Sequence, residues 1–131
     1  MSQPTILRLA RALILLDGVL WLAFASIIAA GVHPSYPRGS DFLWPMAAGG
    51  LLGAIVMLGI ARLLRNPSRL AYWASVAVLA GMLLAGLFDQ VGLADVAFMS
   101  LTLVPLALLV KERAWYLRSE LSEGPLPTGT H

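Results

Sequence analysis

One carboxylate stands inside an otherwise apolar stretch: Asp17, in LILLDGVLWLAF at residues 13–24. An acid so placed can do two kinds of work. Facing a protein interior, it locks helices together through an ion pair or a hydrogen bond; facing a water-filled path, it carries protons or cations. Counted from Arg11 at 1.5 Å per residue, Asp17 lies roughly 9 Å into the run, short of the centre of a hydrocarbon core about 30 Å thick. An ionised carboxylate at that centre costs about 2.5–3.5 kcal/mol on insertion scales, so a partner is expected. Arg62, ending the second apolar run, and Lys111, ending the fourth, are the candidates. Alternatively the carboxyl is protonated, because hydrocarbon disfavours the charged form, and serves as a hydrogen-bond donor. No second acid falls near mid-run, so a proton relay lacks its next station, and the packing role leads.

A second group of reactive side chains falls between the runs. His33, Asp41, Asp89 and Asp95 lie on the opposite side from Arg62, with Tyr36 in the same loop as His33. Three carboxylates and an imidazole suit a divalent cation if their loops converge, but the spacing matches no ligand motif, so no metal site is expected. Asp41 reads as a helix cap, and Asp95 sits in a first turn, where the helix dipole favours a negative charge. Asp89, at a helix C-terminus, has no such explanation. Catalysis has little to stand on: there is no HExxH, no GxSxG and no phosphate loop. One loop histidine does not supply a b-type haem, so no cofactor is expected. With no cysteine, disulfides, thiolate chemistry and Cys-based metal sites are excluded.

The elements that hold these residues are legible from hydropathy. The chain has 131 residues, 59% of them hydrophobic and only 12% charged, with a mean hydropathy of +0.81. A water-soluble chain this short cannot bury that much apolar surface, so part of the solvent must be hydrocarbon. Four apolar runs stand out, at 12–32, 42–61, 70–88 and 91–110, each close to the roughly 20 residues a spanning helix needs. Nothing alternates with period two, which argues against membrane strands. The expected fold is an all-α, four-transmembrane-helix bundle over residues 1–122, with helices at about 5–32, 42–65, 67–88 and 92–121 and a disordered tail at 123–131. Ser40–Asp41 is expected to cap the second helix; Asn66 caps the third, with Pro67 at its first position. Arg8 and Arg11 before the first run and IAAGV at its end resemble a secretory signal. The run is longer than the usual stretch of about 7–15 residues and holds an acid, so a retained helix is expected.

Charge placement sets orientation. The net charge of +2 and the pI near 9.5 do not point to nucleic acid, because the cations cluster between apolar runs. Arg8, Arg11, Arg62, Arg65, Arg69, Lys111, Arg113 and Arg118 fall on one side, and only Arg38 on the other. The positive-inside rule then puts both termini in the cytoplasm, with the cell or inner membrane as the location. Trp44 on the outer side, and Tyr72, Trp73, Trp115 and Tyr116 on the inner, occupy positions of interfacial aromatic belts. The KERAWYLR segment suits contact with anionic headgroups. Helix contacts are expected at Gly49 and Gly53 in the second helix and at Ala77, Gly81 and Ala85 in the third. Ala25 and Ala29 offer the same in the first, since small residues four apart let backbones approach. Pro105 should kink the fourth helix and free the Leu101 carbonyl, with Ser100 and Thr102 near enough to help satisfy it.

Four short helices with one acid in the first resemble the small multidrug-resistance transporters, which implies that Asp17 takes the place of their essential glutamate. LILLDGVLWLAF does not reproduce that family's motif, and the charge bias and long first loop depart from it, so the resemblance covers architecture alone. The layout is also similar to other four-span bacterial inner-membrane proteins, which implies no activity. The expected function is non-enzymatic: a structural or accessory membrane protein whose partners are the lipid bilayer and either itself or a larger membrane complex. The alternative is a small oligomeric proton- or cation-coupled transporter or channel using Asp17.

Overall fold

The computed structural model describes residues 4–66, 68–87 and 93–118, and these are all helix, turn or loop. Helix α1 spans Thr5–Ala29, α2 Leu43–Leu63, α3 Arg69–Leu87, α4 Leu93–Lys111 and α5 Arg113–Arg118. Three of them, over Thr5–Ala29, Leu43–Leu63 and Arg69–Gly86, are long and apolar enough to cross a membrane, as fits a small membrane protein. Large apolar side chains at mid-helix, such as Val19, Leu52 and Ile55, point outward and are more than half exposed. In water such a band would be an aggregation surface; against lipid tails it is simply solvated.

The helix ends correct several sequence-based boundaries. Helix α1 stops at Ala29, three residues short of the expected 32, because Gly31 adopts a left-handed φ of 66°. Its N–H donates to the Ile28 carbonyl at 2.7 Å and that of Val32 to Ile27 at 3.4 Å, the paired bonds of a Schellman C-cap. The small residues of IAAGV thus close a helix. Asp41 caps nothing: α2 begins at Leu43, and it is the Ser40 hydroxyl that accepts, at 3.4 Å, the Phe42 N–H. Helix α3 is capped by Ser68, whose hydroxyl accepts the Ala71 N–H at 3.0 Å, and not by Asn66. Pro67, Asp89 and the 123–131 tail lie outside the described residues. The fourth helix does not continue unbroken to 121; α4 includes Pro105 and ends at Lys111, and a turn at Glu112 separates it from α5.

Contacts between helices run in opposite chain directions. Arg11 meets Ala61, Trp21 meets Gly53 and Ala25 meets Gly50, so α1 and α2 are antiparallel. Asp17 against Thr102 and Trp21 against Phe98 set α4 antiparallel to α1, and Gly86 against Met99 does the same for α3 and α4. The order of packing is α2, α1, α4, α3, with α2 and α3 touching little. One cluster of buried side chains joins all of them, including Leu7 and Ile14 of α1, Met57 and Ile60 of α2, and Leu79 and Leu109 of α3 and α4. Tyr72 and Tyr116, expected in an interfacial belt, belong to this core, with ring centroids 5.8 Å apart. Their contact is what holds α5 against α3. Trp73 does face outward, as does Trp44 at the other end.

Candidate functional site

Asp17 occupies the seam between α1 and α4 and is fully enclosed. Its place follows from helical geometry: Gly18 faces Met57 and Leu58 of α2, and a step of about 100° back turns Asp17 toward α4. There Thr102 Oγ1 lies 3.0 Å from Asp17 Oδ2 and 3.0 Å from the carbonyl oxygen of Phe98. A hydroxyl has one proton and two lone pairs. If that proton goes to the Phe98 carbonyl, the ordinary back-bond of a helical threonine, Asp17 must supply the proton of the second contact. If it goes to Asp17, the acid is the acceptor. Both close the link between helices and differ only in where one proton sits. Asp17 Oδ1 is buried with no hydrogen-bond partner among the described residues.

The expected ion pair is therefore replaced by a neutral partner. Arg62 and Lys111 are exposed and neither bonds to Asp17. The reason is geometric: Arg62 belongs to α2, on the side of α1 that Gly18 faces, whereas Asp17 looks the other way. Thr102 reads from sequence as a partner for backbone carbonyls, because a threonine in an apolar helix normally bonds its own backbone, whereas a buried acid calls first for opposite charge. Ser100 and Thr102 do not serve the Leu101 carbonyl; they donate to Val96 at 2.8 Å and Phe98. Directly beyond the polar pair stand rings that sequence reading did not connect. Trp21 is 5.4 Å from Phe98 and 6.1 Å from Phe24, and Phe24 is 5.9 Å from His33. Tyr36 continues the row at 5.5 Å from His33. The i, i+3 spacing of Trp21 and Phe24 was the available signal.

His33 is thus a stacked ring whose Nδ1 accepts the Ser35 N–H at 3.2 Å, a structural position with one nitrogen already engaged. Asp41 is exposed, Asp95 is partly buried and Asp89 lies outside the described residues. Among the described residues no three His, Asp or Glu side chains come together as a metal site. The small-residue rows divide. Gly53 is buried, and a Cβ there would meet the Trp21 ring at 3.0 Å; Gly49 faces open space, whereas a Cβ at Gly50 would meet the Ala25 side chain at 3.1 Å. Ala77, Gly81 and Ala85 all face outward from α3.

Among the described residues, Asp17 lines neither of two surface grooves that flank α1. One, of about 410 Å³ between α1 and α4, is walled by Leu16, Leu20, Ala97, Phe98 and Leu101 and is wholly apolar. The other, of about 370 Å³, lies between α1 and α2 and is rimmed by Arg11, Arg62 and Arg65. No family model, no curated protein and no solved structure matches this chain.

Proposed function

We propose that this chain is an integral membrane protein of structural or accessory type, without catalytic activity, that packs with itself or with a larger membrane complex. The carrying observation is Asp17 itself: enclosed, lining neither of the two grooves described, and taken up by a hydroxyl on the neighbouring helix. A site that exchanges protons or ions with water needs access and a next group in line, and the nearest partner here is a threonine. Four spans are the fuller reading. Helix α4, at 19 residues, measures about 28 Å at 1.5 Å per residue, near the core thickness of about 30 Å. Eight of nine cations at one set of helix ends support cytoplasmic termini in a plasma or inner membrane.

Native mass spectrometry of the protein, gently extracted from its own membrane, tests this. Stoichiometric partner subunits, or a homo-oligomer whose Asp17→Asn variant shows unchanged ion flux in liposomes, are the expected results. The second reading, a proton- or cation-coupled transporter, is favoured by the buried Asp17 Oδ1, which has no hydrogen-bond partner among the described residues. Loss of flux in Asp17→Asn with the fold intact would establish it instead.

A further inference from the structure

Arg11, Arg62 and Arg65 converge on the groove between the first turns of α1 and the last turns of α2, and no acidic side chain lines it. Arg11 is anchored there, its Nε donating to the Ala61 carbonyl at 2.8 Å, so the rest of its guanidinium is held at the groove with donors to spare. Arg62 and Arg65 are exposed and form no ion pair among the described residues. Toward mid-helix the wall turns apolar, through Leu15, Leu58 and Gly59, and Gly59 leaves open space where a side chain would stand. Cationic at the helix ends and apolar below, the groove has the polarity of a phospholipid standing in the leaflet. Uncompensated guanidiniums in a partly desolvated site favour a phosphate oxygen, which they bind in a fork.

We propose that this groove is a binding site for one anionic glycerophospholipid, its phosphate held by Arg11, Arg62 and Arg65 and an acyl chain lying along Leu15, Leu58 and Gly59. This rests on α1 and α2 spanning the bilayer and not on the accessory role. A basic pocket between helix ends serves anionic headgroups better than zwitterionic ones, because a choline beside the phosphate brings a second cation to the same guanidiniums. The lipid would fill the groove between α1 and α2.

The test is native mass spectrometry of the full chain with added phosphatidylglycerol, phosphatidylcholine or glycerol phosphate. Phosphatidylglycerol should bind one to a chain, about tenfold more tightly than phosphatidylcholine. Arg62→Gln with Arg65→Gln should remove that preference, whereas Lys111→Gln with Arg113→Gln, an equal loss of charge at the same helix ends, should leave it within about twofold. Gly59→Leu keeps every charge and has room in the fold, yet it fills the acyl wall, and should weaken binding about tenfold with an unchanged melting temperature. Equal affinity for both lipids, or equal loss in the Lys111/Arg113 variant, overturns the site. Glycerol phosphate binding as tightly as the lipid overturns the lipid assignment. Retention in alkali-washed membranes without lipid preference defeats this proposal alone; release into the wash defeats the membrane reading as well.

Discussion

Helix α1 is held on its two sides by different means. Toward α2 the contact is made through missing side chains: Gly50 admits Ala25 and Gly53 admits the Trp21 ring, both at near-minimal distance. Toward α4 it is made through an added polar group, the Asp17–Thr102 link, with Trp21 and Phe98 packed beside it. In lipid no hydrophobic effect draws helices together, so close packing and interhelical hydrogen bonds do that work, and α1 uses one on each side. The first is broad and steric, spread along about one turn. The second is a single point, and it sets register: sliding α4 by one residue would carry Thr102 away from Asp17.

The largest effect should come from the steric side. Gly53→Leu drives a side chain into Trp21, which cannot yield because Phe98 lies behind it, and should lower stability by about 2–3 kcal/mol. Unfolding in mild detergent would show it. Asp17→Ala should lose about 1–2 kcal/mol, combining the broken link with a small cavity, while Asp17→Asn should keep most of the link and fall by under about 0.5 kcal/mol. Thr102→Val keeps the shape and removes the hydroxyl, and should cost about 0.6–1 kcal/mol in the same measurement. The smallest effect belongs to Gly49→Leu, next in sequence to a critical glycine but facing open space; stability should move by less than about 0.5 kcal/mol. If Gly49→Leu were instead as damaging as Gly53→Leu, a second chain would have to cover that face.

Apolar run length placed the four long helices, whereas the break at Glu112 that sets α5 apart is announced by no residue type. Burial of Asp17 was legible because an acid in a lipid-length run has nowhere else to go. Its partner was not, because the side of α1 that each neighbour occupies depends on packing order, and α4 lies where α2 was expected. The same ignorance of facing hid the glycine register: the pair Gly49–Gly50 offers two faces, and only the position of Trp21 chooses between them. Tyr72 and Tyr116 look like interfacial residues by type and span end, and are core because their rings pack against each other where α5 meets the start of α3. Helix caps failed for a similar reason, since Asn66 and Ser68, or Asp41 and Ser40, are chemically equivalent signals a residue or two apart.

A double-mutant cycle between Asp17→Ala and Thr102→Val, followed by reversible unfolding in detergent, tests the Asp17 lock most directly. If the two side chains hold α1 to α4, the cycle should return a favourable coupling of about 0.6–1 kcal/mol. Additivity within about 0.3 kcal/mol would mean that the side chains do not act together. Asp17 would then have to be explained by some work other than packing.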